Sequence, residues 1–92
     1  MPWVYIMSNH TRTTLYIGVT ANLRARVEGH KSLATPGFTS RYKLTDLVYA
    51  EEAESIIDAI RREKQLKKWR REKKDRLIRS LNPGLVDLSY SL

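Results

Sequence analysis

Two short runs of strict alternation, followed without a gap by a helical repeat, restrict this chain more than any other feature. Trp3, Tyr5 and Met7 alternate with Val4 and Ile6, and Leu15, Ile17 and Val19 alternate with Thr14, Tyr16 and Gly18. Period-2 patterning on both sides of the polar Ser8–Thr13 stretch predicts a β-hairpin. If Ser8 pairs with Thr13, Tyr5 sits directly opposite Tyr16 and both rings leave the same face. A one-residue slip would send them to opposite faces. Gly18, inside the second strand, reads either as a bulge or tight packing, or as close approach of the helix start or a phosphate.

The helix comes next. Thr20 is placed to cap Ala21–Lys31, in which the apolar Leu23 and Val27 are four apart. Arg26 and His30 complete the i, i+3, i+4, i+7 stripe, so both are predicted to face inward beside the two phenols. A guanidinium there costs desolvation unless an anion or carboxylate answers it. The rival account is a packed tyrosine pair with the arginine snorkelling to the rim. Periodicity alone does not choose between the two.

Composition narrows the partners. The chain has 92 residues, a length suited to one domain over 1–92, and no cysteine, which excludes disulfides and thiolate metal sites. Its apolar runs fall far short of the roughly 20 residues a membrane span requires. Met1-Pro2-Trp3 lacks the basic and apolar regions of a secretory signal, so a cytoplasmic location is expected. A net charge of +7 argues for a polyanion as partner, nucleic acid first. A membrane surface would want a broader apolar face beside the charge.

Further along, Ser32–Ser40 contains Pro36-Gly37, a turn signal, with Phe38, Arg41 and Tyr42 around it. Lys43–Glu51 reads as a third strand whose run Leu47–Ala50 suits a central position. Glu51, Glu52 and Glu54 then lead into a helix, with Ala53, Ile56, Ile57 and Ile60 as its expected buried stripe. Glu63 falls on the edge of that stripe, where a carboxylate must be paired or bind a cation. Arg26 and Lys67 are its candidate ion-pair partners. From Arg61 to Arg76, ten of sixteen residues are Lys or Arg, out of seventeen in the whole chain, so the positive field is concentrated. No Gly or Pro interrupts this run, which leaves one long helix or two open. Asn82-Pro83-Gly84 ends it, and Leu85, Val86 and Leu88 can bring the tail back. The fold class expected is α+β: a small, mostly antiparallel three-stranded sheet flanked by about three helices, in the order β-β-α-β-α-α.

These residues resemble the GIY-YIG nuclease domain. Trp3-Val4-Tyr5 stands at the first motif, with Trp3 in place of its glycine, and Tyr16-Ile17-Gly18 matches the second. The segment Thr20–Arg26 followed by His30 resembles the helix that carries the family's arginine. Arg62-Glu63-Lys64-Gln65-Leu66-Lys67 resembles the segment with its metal-binding glutamate, and Asn82-Pro83 its late asparagine. The likeness spans nearly the whole chain and is strongest to small standalone bacterial members. It favours two helices over one in the basic run.

The resemblance implies a metal-dependent endonuclease acting on DNA, with branched or damaged structures among the candidate substrates and RNA not excluded. It places Tyr5 at the attacking water with Tyr16 and His30 in support, Arg26 on the phosphate, and Glu63 on a single Mg²⁺ or Mn²⁺ ion. Arg24, Lys31, Arg41, Lys64, Lys67, Lys68, Arg70 and Arg71 are candidates for nucleic-acid contact, and Gly18 and Asn82 for structural roles. Bringing a phenol from pKa about 10 to near 7 takes roughly 4 kcal/mol. Arg26 and a divalent ion in a desolvated pocket could supply it; otherwise His30 is the better base. The alternative reading is a basic nucleic-acid-binding module that keeps the fold without catalysis. The joint presence of Tyr5, Tyr16, Arg26, His30 and Glu63 favours the enzyme. With so short a chain, any activity is expected to be weakly sequence-specific, or directed by a homodimer or a targeting partner.

Overall fold

All five residues from Val4 to Ser8 are buried, because their strand has a neighbour on each edge and helices over both faces. The computed structural model describes residues 1–32, 37 and 41–92. Strand β1 (Trp3–Ser8) is followed by β2 (Leu15–Thr20), α1 (Leu23–Ser32), β3 (Asp46–Glu52), α2 (Ile56–Lys67), α3 (Arg71–Leu81) and a short 3₁₀ turn over Leu88–Ser91. The sheet is antiparallel with order β2-β1-β3. This is the α+β arrangement expected, a three-stranded sheet with three helices among the described residues. The Pro36 turn and Phe38 lie outside those residues.

The sheet separates two apolar clusters. On one face Val4, Ile6, Ile17, Val48 and Tyr49 meet Ala59 and Leu66 of α2 and Ile78 of α3. On the other, Tyr5, Met7 and Leu47 meet Leu23 and Val27 of α1, with Leu44. The chain tail serves both, Leu85 on the first and Leu88 on the second.

The hairpin register differs from the expected one by two residues. Tyr5 pairs with Gly18, Met7 with Tyr16 and Ser8 with Leu15. The cause lies in the loop. Asn9 Oδ1 accepts from the backbone N–H groups of Thr13 and Thr14, and the Ser8 hydroxyl donates to the Thr14 carbonyl. Thr13 is thereby drawn into an Asx-type loop and cannot extend the ladder. An even shift leaves the faces unchanged, so Tyr5 and Tyr16 remain on one side as diagonal neighbours.

Three further expectations are corrected. Strand β3 is an edge strand, not a central one. Its continuous apolar run comes from a bulge: register shifts between Ile6 and Met7, so Val48 and Tyr49 both join one cluster while Leu47 joins the other. In α2 the buried positions are Ala59 and Leu66, whereas Ile56, Ile57 and Ile60 are exposed. The small Ala59 lets the helix approach the β1–β2 side of the sheet, and that approach turns the isoleucines outward. Helix α1 starts at Leu23, and its cap is Asn22, whose Oδ1 accepts from Ala25 N–H, while Thr20 Oγ1 accepts from Asn22 N–H.

The basic run is two helices, broken without Gly or Pro. The N–H of Lys68 bonds the carbonyls of Gln65 and Leu66, and Arg70 is extended (φ −69°, ψ 160°). Trp69 fixes the break by packing into the first cluster, with the Lys73 ammonium 4.2 Å and the Arg62 guanidinium 5.3 Å from its ring. Arg62 also reaches Glu51, which accepts from the Tyr49 hydroxyl at 2.7 Å. Burial and this neighbouring carboxylate push the Tyr49 phenol up to about 12.

The tail is tied down by polar contacts as well as apolar ones. Asn82 is buried; its amide donates to the carbonyls of Val48 and Val86, and its oxygen accepts from Val86 N–H. It therefore joins the end of α3, the tail and β3 at one point. Asn82→Ala strands those backbone groups and should lower unfolding free energy by about 2–3 kcal/mol, read from urea denaturation.

Candidate active site

The geometry begins with one pair in the sheet. Tyr5 lies across Gly18, so close that a Cβ built there would stand 2.6 Å from the phenol oxygen and 2.9 Å from Cε2 of Tyr16. Only a residue without a side chain admits both rings. Of the readings open to Gly18 in the sequence, tight packing is the one found, and the neighbour is Tyr5 itself. The sheet bulge lies elsewhere.

From that seat the Tyr5 hydroxyl reaches Nε2 of His30 at 3.0 Å. Tyr5, Tyr16 and His30 form a triangle of tilted rings with centroids 6.3, 5.7 and 5.6 Å apart. Tyr5 is wholly buried, whereas Tyr16 and His30 are half-buried. Arg26, one turn before His30, is exposed rather than inward, yet its positive charge favours ionisation of the Tyr5 phenol. Glu63 comes from α2, and its charge also acts on that phenol. Side chains from β1, β2 and α1 thus meet around one phenol, with the charge of Glu63 from α2 felt there.

Burial dominates the protonation states. It pushes the Tyr5 phenol up to about 12, aided by Tyr16 and Glu63, and Arg26 offsets only part of this. His30 moves the other way: burial, then the Arg26 charge, hold its pKa below the usual imidazole value. At neutral pH the pair is a protonated phenol beside a neutral imidazole.

Glu63 is a half-buried carboxylate whose cation neighbour is Lys67, at 3.7 Å. Among the described residues no group of three or more His, Asp or Glu side chains gathers as a metal cage. A lone protein carboxylate fits a hard ion such as Mg²⁺ or Mn²⁺, which commonly completes its shell with water and substrate oxygens. It does not suit a structural zinc.

The remaining candidates divide. Lys64, Lys67, Lys68 and Arg70 are exposed around the α2–α3 break. Arg24 is exposed on α1 and lines a cavity of about 200 Å³ with Val27, Lys31 and Tyr90. Arg41 is exposed, 5.8 Å from the Tyr42 ring. Lys31, by contrast, is bonded to Asp87 at 2.5 Å. Burial opposes ionisation of Asp87, but hydrogen bonds from Lys31, Ser89 and Leu47 prevail and hold its pKa below the usual carboxylate value. Arg71 donates to Asp75 and to the carbonyls of Arg12 and Thr13, pinning the hairpin loop to α3. Arg12, not anticipated from sequence, completes that junction through Asp46 at 2.7 Å and the Leu85 carbonyl. Its positive φ of 61° is a loop property that no periodicity announces.

Comparison with known proteins agrees with this geometry. The family model described as the GIY-YIG catalytic domain matches residues 1–76. UPF0213 proteins of Staphylococcus aureus strains Mu3, Mu50 and N315 are each 36% identical over 66 residues, covering 72% of this chain and 80% of theirs. No solved structure matches. Among the described residues, no helix is long and apolar enough to cross a membrane.

Gly18→Ala tests the seat. Its methyl must displace one or both phenols, so stability should fall by about 1–3 kcal/mol in denaturant titration. The His30 NMR titration should shift with it, because its partner moves.

Proposed function

The chain belongs to the GIY-YIG family, whose domains are of nuclease type, and from that premise we propose a metal-dependent endonuclease that hydrolyses a phosphodiester bond of DNA, branched or damaged duplexes included. The observation that carries this reading is the hydrogen bond from Tyr5 to His30 inside the ring triangle with Tyr16, with the charges of Arg26 and Glu63 felt at the same phenol.

Hydrolysis needs an oriented water, a proton acceptor, and positive charge at the phosphate and leaving oxygen. Tyr16, half-buried in the ring triangle, orients the water. Tyr5 is enclosed and protonated, so it does not start the reaction as a base; lowering its pKa from about 12 to 7 would take roughly 7 kcal/mol. The neutral imidazole of His30 takes the proton at Nδ1, in the tautomer whose Nε2–H donates to the Tyr5 oxygen. Tyr5 holds that imidazole in place through its hydroxyl. Arg26 forks onto two phosphate oxygens and keeps its charge at any working pH. Glu63 would hold the Mg²⁺ or Mn²⁺ ion, which when bound supplies charge neutralisation at the phosphate. Lys67, Lys68 and Arg70 extend past Glu63 along the substrate backbone.

Plasmid and branched-DNA cleavage with Mg²⁺ or Mn²⁺, and its loss in EDTA, tests the activity. Replacing His30, Arg26 or Glu63 by Ala should each cost about 10²-fold or more. The rate should rise with pH as His30 sheds its proton, below the ordinary imidazole value near 6.5, and be level above about pH 7. A rate that keeps climbing tenfold per unit toward pH 10 would assign the base to a phenol instead.

Binding separates the two classes of cation. Lys68→Ala and Arg70→Ala should each reduce the salt dependence of DNA affinity by about one unit of log–log slope. Arg71→Ala and Lys31→Ala should lower thermal stability and leave that slope largely unchanged, since their charges already serve Asp75, Asp87 and the hairpin carbonyls.

A further inference from the structure

Helix α2 turns apolar side chains to solvent in a cluster that neither the core nor the proposed site uses. Ile56, Ile57 and Ile60 are 48%, 59% and 40% exposed. Scattered exposed isoleucines need no explanation, but three within five positions of one helix form a patch. Ala59 and Leu66 hold the opposite side of the helix to the core. Ile57 lies nearly across the helix from Leu66, and Ile60 stands one turn on from Ile57.

The charges around the patch are sorted by end. Before and within the first turn lie Glu52, Glu54 and Asp58; beyond Ile60 lie Arg61 and Lys64. All five are exposed, and among the described residues none of them forms an ion pair. One helix therefore presents an acidic end, an isoleucine middle and a basic end. We propose that α2 pairs antiparallel with α2 of a second copy of this chain, across a twofold axis passing between Ile57 and Ile60. Ile57 then packs on Ile60 of the partner subunit, and the acidic end of each helix lies beside the basic end of the other. Opposed helix dipoles add to the fit.

The same sorting argues against nucleic acid here, since phosphates would be repelled by Glu52, Glu54 and Asp58 beside the isoleucines. A pair of helices this short gives a small interface, so the dimer is a weak one, in the micromolar range.

Sedimentation velocity over a concentration series tests this. The wild-type chain should pass from monomer to dimer. Ile57→Asp should weaken association by tenfold or more, with a melting curve unchanged at concentrations where both proteins are monomeric, since the side chain is exposed in the monomer. Charge reversal provides the sharper arm. E54K/D58K and R61E/K64E should each be monomeric alone, because like charges would then face each other. Mixed in equal amounts they should form a mixed dimer, with acid again facing base. A wild-type chain that stays monomeric at millimolar concentration overturns the proposal. So does a dimer that Ile57→Asp and both reversals leave intact, since the contact would then lie on another surface.

Discussion

A buried phenol sets the terms for the rest of this molecule. Tyr5 sits in the central strand with no access to solvent, and its hydroxyl must find a partner inside or forfeit about 1–3 kcal/mol. The partner is His30, and that single bond fixes where α1 crosses the sheet. Once α1 is placed, Arg26 follows one turn earlier and its guanidinium comes to bear on the same oxygen. Gly18 is the converse of this arrangement. Opposite a ring that lies flat on the neighbouring strand there is no volume left for a methyl group. Fold and site are thus one set of contacts, and a residue such as Tyr5 belongs to both.

The positive charge is likewise divided by structure rather than spread. Arg12, Lys31, Arg62 and Arg71 each end on a carboxylate, and Arg12 and Arg71 also end on backbone carbonyls. They hold the hairpin loop, the tail and the first turns of the basic helices in place. Lys64, Lys68 and Arg70 have no such ties among the described residues and surround the break between α2 and α3. The break matters for this reason. A single continuous helix would carry its basic residues around one axis, whereas Trp69, packed against the core and flanked by Arg62 and Lys73, ends α2 and divides the basic residues between two helices.

What could be read without coordinates depended on how tolerant each inference was of error. The shared face of Tyr5 and Tyr16 survived a wrong register because the error was even, and strand faces repeat every two residues. The α1 stripe of Leu23, Val27 and His30 was legible because three of its positions agree. The position of β3 was not. A bulge places consecutive residues Val48 and Tyr49 on one face, and a run of that kind imitates a strand buried on both sides. The buried face of α2 was misread because hydrophobicity pointed to isoleucines, while packing distance selected Ala59. The choice of base was invisible for a different reason: it depends on how deeply Tyr5 is enclosed, which composition does not encode.

The misread face is also where the molecule departs most from an isolated globule. A helix that buries alanine and exposes three isoleucines would, in the α2 pairing proposed above, serve two surfaces at once. Glu63 lies about 120° around α2 from Ile57, so the side carrying the carboxylate and the side carrying the patch are distinct. A contact through Ile57 would leave the ring triangle and Glu63 open. Twofold symmetry would also reverse the direction of the second site relative to the first. The two strands of a duplex run antiparallel, so two such sites could each address one strand in the same chemical sense. The fixed spacing between two centres would supply a selectivity that neither centre has alone.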